Sequence, residues 1–325
     1  MDIFEMKGQR VKPGDSAVIS FRIARLPTHT QIDLPVYIFR GAEAGPVLLL
    51  TAGLHGNEIN GIEIVRKMIS EGSVKPSRGT VVAIPIVNIY GFLQSERYLP
   101  DGKDLNRSFP GSQTGSLAQR VAWVLMNEII PKIDFGIDFH TGGASLSNFP
   151  QIRCDFEYGL NLDLAKMFAP PFIMNSAMIN KSLRRAAHRI GKHIVVYEGG
   201  ESLRFDDFAI SEGVSGTLRM MKALQMIDDA PQPAFRPKIL SATTWIRARY
   251  AGIFHTLIQP GDILKRNQLI GTITDPFGET TYPIKTREGG HVICLNNMPV
   301  LNAGDAIAHI GKEKQTASAQ HSLKT

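Results

Sequence analysis

Cysteine is scarce in this chain. Its 325 residues include only Cys154 and Cys294, which argues against a disulfide framework and against a Cys-rich metal knuckle. Long apolar runs are missing too: none approaches the roughly 18–20 residues that a membrane span requires. The opening stretch, MDIFEMKGQRVKPGD, has no apolar h-region, so no secretory signal is expected. A reducing cytoplasm is therefore the expected compartment. Charge is nearly balanced, with a formal net charge of +6. Lys and Arg are scattered apart from short clusters such as SLRRAAHR, and no basic stripe interleaved with aromatics appears. Neither a nucleic-acid nor a membrane partner is expected. There is no internal repeat, and the only low-complexity stretch is the polar C-terminal end.

The rest of the composition, 43% hydrophobic and 20% charged, describes a globular protein with a sizeable core. From about residue 35 to 227, short apolar runs alternate with amphipathic segments. PVYIFRG, PVLLLTAG, TVVAIPIVN, FGIDFH and IVVYEGG are nearly continuous in β-forming residues, as strands covered on both faces are. Between them EINGIEIVRKMIS, SLAQRVAWVLMNEII, SLRRAAHRIG and FDDFAISEGVSGTLRMMKAL predict helices. The fold class is α/β, a mixed sheet flanked by helices. The segment 228–238, DDAPQPAFRPK, carries three prolines and predicts a linker. Short β-type runs punctuated by glycine follow over 239–312 and predict a smaller C-terminal all-β domain. An N-terminal β segment (1–34) and a disordered tail (313–325) complete the expected organisation.

Three of the strand candidates end in a chemically active residue. PVLLLTAG runs into His55 and Glu58, FGIDFH ends at His140, and IVVYE ends at Glu198. In open α/β sheets, functional groups gather beyond the carboxyl ends of the strands. Two histidines and one carboxylate make a catalytic zinc set with a fourth position open to water. Glu198 would then be the carboxylate left free to act as base. Taken singly, an H-x-x-E or a lone histidine is more often structural. The signal is their coincidence at strand ends with glycines beside them, where a Cβ would obstruct close approach. The loop SERYLPDGKDLNRSFPG adds Arg97, Asp104, Asn106 and Arg107; alone it is a solvated surface loop, but beside a metal site it becomes a substrate clamp.

The motifs GLHGNE, DLNRSFPG, DFHTGG and YEGG, in that order, resemble the succinylglutamate desuccinylase/aspartoacylase family, which is related to the zinc carboxypeptidases. The stretches RYLPDGKDLNRSFPGS and SNFPQIR resemble a bacterial subgroup often encoded beside a ribosomal-protein glutamate ligase. The resemblance implies a zinc-carboxypeptidase-like fold and one zinc ion per chain, held by His55, Glu58 and His140. It further implies Glu198 as general acid/base, Arg97 as the cation that polarises the scissile carbonyl, and Asn106 and Arg107 as the grip on a substrate carboxylate. Asp104 would orient a metal-bound histidine, and Arg184 would be a further substrate arginine. The C-terminal domain resembles half of a lipoyl or biotinyl hammerhead, with DPFGE at the turn where a carrier lysine would stand; a shielding or assembly role follows more naturally than a carrier role.

The implied activity is zinc-dependent hydrolysis of the amide bond of an N-acylated amino acid or similar small anionic amide, a linear C–N bond outside peptides, with the β domain capping the site. Two other readings fit the same motifs: a metallocarboxypeptidase that removes a terminal residue such as glutamate, and a catalytically silent binding protein. The sequence leaves a homo-oligomer open.

Overall fold

The structure, a computed structural model, describes residues 3–313. It divides into two compact units, Met1–Pro237 and Lys238–Thr325.

The larger unit opens with a small hairpin, β1 (Phe4–Met6) and β2 (Gln9–Val11). Its main sheet takes β3 (Ser16–Arg25), β4 (Gln31–Arg40), β5 (Glu43–Ala52), β6 (Arg78–Ile84), β7 (Phe135–Gly142), β8 (Leu146–Cys154), β9 (Phe172–Asn175) and β10 (His193–Glu201). Within this unit the strands run in the order β9-β8-β10-β7-β5-β6-β4-β3. β6, β5, β7 and β10 are mutually parallel, so their carboxyl ends share one edge. β8 joins β10 antiparallel, and β4 joins β6 antiparallel, which makes the sheet mixed. The 34/35 boundary falls inside β4, whose pairing with β3 and β6 makes residues 16–40 one margin of this sheet.

The central strands are apolar because both faces are covered: Leu48, Leu49, Leu50 and Ala52 on β5 are fully buried. Six helices surround the sheet among the described residues: α1 (Ile59–Glu71), α2 (Ile89–Gln94), α3 (Leu117–Val124), α4 (Gly159–Phe168), α5 (Leu183–Arg189) and α6 (Asp207–Ala223). Each of the four helix-predicting stretches contains one of them. α3 starts on a capping box, with Ser116 and Gln119 satisfying each other's backbone N–H groups. Its helical turn then widens over Leu125–Ile129. α1 packs against α6 and α6 against α4. The last contact depends on a glycine: a Cβ on Gly216 would lie 2.0 Å from the ring of Phe168.

The smaller unit is all β. Its strands are β11 (Lys238–Arg247), β12 (Gly252–Thr256), β13 (Ile263–Leu264), β14 (Leu269–Thr274), β15 (Thr281–Lys285), β16 (Gly290–Asn296), β17 (Val300–Leu301) and β18 (Ala306–Glu313). They form two layers, β13-β16-β18-β11 and β15-β14-β12-β17, around a core that includes Ile270, Ile273, Val292 and Ile307. The DPFGE turn links β14 to β15, and the Asp275 carboxylate accepts the N–H groups of Phe277 and Glu279. Glu313, the first residue of the expected tail, closes β18; residues 314–325 lie outside the described residues. Both cysteines are buried and neither is in a disulfide, and burial pushes the Cys154 thiol up to about 12. No helix among the described residues is long and apolar enough to cross a membrane.

Candidate metal centre and active site

His55 and Glu58 lie in the turn that carries the chain from β5 into α1. Gly53 makes that turn feasible with φ of 62°, the left-handed region that glycine enters without strain. Gly56 allows a second close approach, because a Cβ there would sit 1.9 Å from the Gly91 carbonyl carbon on α2. Glu58 occupies the N-cap position of α1 but makes no capping bond with its side chain. A residue at that position commonly bonds the first turn of its helix; here the carboxylate turns to the two histidines instead.

Glu58 Oε1 lies 2.7 Å from His55 Nδ1, and its Oε2 lies 2.7 Å from His140 Nδ1. The three residues are buried, with ligand atoms all within 4.8 Å of one another, a grouping that could hold a metal ion. The opposite ring nitrogens are also engaged. His55 Nε2 is 3.1 Å from Asp104 Oδ1, and His140 Nε2 is 2.8 Å from Asp138 Oδ2. Arg97 closes the cluster, donating to Glu58 Oε1 at 3.2 Å and to Asp104 Oδ2 at 2.9 Å.

Burial alone would favour the neutral form of every group here. For His55 the Glu58 charge and the bonds to Asp104 and Glu58 outweigh burial and raise the pKa. For His140 burial is overcome by Asp138 and Glu58, and the rise is larger. Glu58 and Asp104 are held well below the usual carboxylate range despite burial, Glu58 by the two imidazoles and Asp104 by His55 and Arg97. Three carboxylates thus face one guanidinium, so with neutral imidazoles the cluster carries a formal surplus of two negative charges. A divalent cation would fit between the two Nδ1 atoms and Glu58: with each Nε2–H donated to Asp104 or Asp138, the Nδ1 atoms and the Glu58 carboxylate would be left as its ligands.

Glu198 stands one strand over. β10 pairs with β7 in a register that sets Glu198 beside His140, and partners across a ladder present their side chains on the same sheet face. Its Oε2 accepts from Asn148 Nδ2 at 2.8 Å, and its Oε1 lies 3.2 Å from Arg153 NH1. The Glu198 side chain is 12% exposed.

The remaining sequence candidates are placed differently. Asn106 donates its backbone N–H to Asp104 and accepts the Leu183 N–H at the start of α5 with its side chain. Arg107 is exposed, and its NH1 donates to the Asn106 carbonyl. Arg184 is buried and gives NH1 and NH2 to the carbonyls of Arg153 and Ala177. Burial lowers its pKa. The apolar pattern does not single out Asp138, Asn148 or Arg153. The D-x-H spacing of Asp138 and His140 carries the signal for the first, since residues two apart on a strand share a face.

Asp138 leads to a prediction. Its second oxygen accepts the Thr51 hydroxyl at 2.9 Å, so the carboxylate is fixed and sets the His140 tautomer. Asp138→Asn is expected to weaken metal binding about 10–100-fold with the fold intact, as read by titration in metal buffers alongside circular dichroism. Unchanged affinity would show that His140 needs no such partner.

Residues 44–224 match the model of the succinylglutamate desuccinylase/aspartoacylase catalytic domain. The N-alpha-acetyl-L-2,4-diaminobutyric acid deacetylase of Halomonas elongata is 30% identical over 302 residues, covering 86% of this chain and 85% of the relative. Among solved structures, a succinylglutamate desuccinylase/aspartoacylase from Rhodobacter sphaeroides superposes with a TM-score of 0.80 at 22% identity, over 93% of this chain and 96% of that one. The product-bound ectoine utilization protein EutE (DoeB) from Ruegeria pomeroyi gives 0.79 at 20% identity, over 91% and 94%. The structural matches carry the fold and the sequence matches the family: this chain belongs to the succinylglutamate desuccinylase/aspartoacylase family.

Proposed function

We propose that the protein is a zinc-dependent deacylase that hydrolyses the amide bond of a small N-acylated amino acid. The observation that carries this reading is the His55–Glu58–His140 cluster, with Arg97 in contact on one side and Glu198 in register beside His140 on the other. The named activity of the Halomonas elongata relative, a deacetylase of an N-acetylated amino acid, supports the same reaction class.

Zinc, when bound, supplies a Lewis acid and lowers the pKa of a water molecule toward neutrality. The chain's own groups do the rest. Arg97 presents a fixed guanidinium where negative charge develops on the carbonyl oxygen, and Asp104 holds it in place. Glu198 takes the proton of the attacking water on a carboxylate oxygen and returns it to the departing nitrogen. Asn148 and Arg153 hold that carboxylate in position. Arg107, exposed on the same loop as Arg97 and Asp104, is the cation that meets the substrate carboxylate.

The test is product analysis by mass spectrometry with zinc-loaded protein on N-acetyl and N-succinyl amino acids and on short peptides ending in glutamate. Release of free acyl acid and amine establishes the deacylase; release of terminal residues from the peptides alone would transfer the function to a carboxypeptidase. Arg97→Met is expected to lower kcat by about 10²–10³ with a small change in KM. A change confined to KM would move Arg97 from carbonyl polarisation to substrate binding.

A further inference from the structure

The smaller unit holds a cavity of about 710 Å³, walled by β11 and the turn after it on one side and by β15 and the turn after it on the other. That volume lies in the range of small-molecule sites. The lining carries four cations, Arg247, Arg249, Lys285 and Arg287, against one carboxylate, Glu288. Lys312 already pairs with Glu288 at 2.7 Å. Arg247 gives NH1 to the Gly304 carbonyl at 2.9 Å. Among the described residues, none of the four cations forms an ion pair, and the side chains of Arg249, Lys285 and Arg287 make no hydrogen bond. Exposed cations are ordinary on a convex surface, where water screens them from one another. Four around one concavity repel, and its low-dielectric walls focus their potential into the space between them. An anion relieves that repulsion.

The walls are built on anchored backbone. Ala248 donates its N–H to the Asp305 carbonyl at 2.8 Å and accepts the Gly304 N–H at 2.8 Å, which pins the turn that carries Arg249 and Tyr250. On the facing wall the buried Thr286 accepts the Asn267 N–H at 2.9 Å and donates its own to Gln268 at 3.0 Å, which sets Arg287. Two aromatic rings complete the lining. Trp245 stacks on His309 with centroids 4.4 Å apart, and Tyr250 stacks on Tyr282 at 3.9 Å. Tyr250 is nevertheless 43% exposed, so its second face is open. Several arginine forks suit phosphate oxygens, and an open aromatic face suits a planar base. An acidic peptide is the competing occupant, but β15 ends its layer with Pro283 in it, and proline blunts an edge against an added strand.

We propose that this cavity binds a nucleoside polyphosphate, with its phosphates on Arg249, Lys285 and Arg287 and its base on the open face of Tyr250. The site is separate from the deacylase reading and does not depend on it. The test is calorimetric titration of the zinc-loaded, full-length protein with ATP, GTP, tripolyphosphate and a peptide of alternating Asp and Glu. At least one nucleotide is expected to bind about tenfold more tightly than tripolyphosphate, the gain that stacking on one aromatic ring supplies. Tyr250→Ala brings that nucleotide down to the tripolyphosphate level. Arg249→Gln and Arg287→Gln each weaken nucleotide binding about 10–100-fold. Both arginines are exposed, so the melting temperature should hold.

Absence of saturable nucleotide binding overturns the proposal. Binding that keeps its wild-type strength in both arginine variants does so too, since the nucleotide then sits elsewhere. Tripolyphosphate that binds as tightly as either nucleotide leaves the ring without a role and overturns the nucleoside assignment. An acidic peptide that binds more tightly than both nucleotides, and is lost in the arginine variants, hands the cavity to a peptide. Should a variant fail to fold, fluorescence decides. The chain has two tryptophans, Trp123 and Trp245, so Trp123→Phe leaves Trp245 as the reporter inside the cavity. Saturable quenching by nucleotide is expected there, and its absence overturns the site.

Discussion

Glu198→Gln is expected to lower kcat by about 10²–10⁴, the range typical of a positioned general acid–base, while metal content stays at the wild-type level. Glutamine preserves the volume and keeps one acceptor for Asn148 Nδ2, which now bonds Glu198 Oε2 at 2.8 Å. It cannot take a proton, and its amide nitrogen would meet the Arg153 guanidinium that now faces Oε1. The variant therefore removes the base without removing a donor from the His55–Glu58–His140 cluster. The discriminating readout is the split between rate and metal: kcat falls while zinc stoichiometry stays that of the wild type. Glu198→Asp keeps the carboxylate on a shorter stem and should recover part of the rate. A glutamine variant that turns over at the wild-type rate would mean that another group moves the proton.

The elements legible in the sequence are those whose side chains serve the core alone. β5, β7 and β10 announce themselves as apolar runs because both their faces are covered, and their polar endings at His55, His140 and Glu198 stand out against that background. β8 is not legible, for the complementary reason. Ser147, Asn148, Gln151 and Arg153 interrupt its apolar pattern, Pro150 argues against a strand, and the stretch resembles a loop until the ladder with β10 is seen. Two of the polar residues that hide the strand, Asn148 and Arg153, are the ones that hold the Glu198 carboxylate. The family resemblance points to Asp104 but not to Asp138, although the two bond equivalent ring nitrogens. Asp138 sits inside a strand whose register with β5 and β10 is needed before its neighbours can be known. Arg184 shows the opposite limit. Its place in SLRR marks a basic helix, but only three-dimensional packing reveals that its NH1 and NH2 end on backbone carbonyls.

The second large effect concerns the metal itself. Glu58→Gln is expected to weaken metal binding by more than the factor of about 10–100 that the loss of an outer partner costs, and to abolish turnover with it. The carboxylate touches both imidazoles at 2.7 Å, receives Arg97 NH1 at 3.2 Å and the Thr141 N–H at 3.3 Å. No other carboxylate in the cluster bridges the two histidines: Asp104 bonds His55, and Asp138 bonds His140. Glutamine would halve the negative surplus that matches a dication and would set an N–H donor against either a ring nitrogen or Arg97. Glu58 makes no capping bond to α1, so its replacement should leave the fold intact, which circular dichroism can verify. Metal stoichiometry measured across a chelator-buffered zinc series should then rank wild type above Asp138→Asn, and Asp138→Asn above Glu58→Gln. If Glu58→Gln held zinc within about tenfold of wild type, the ion would have to be carried by Asp104 or Asp138 instead. The carboxylates would then exchange roles, with Glu58 orienting the histidines and an aspartate supplying the third donor.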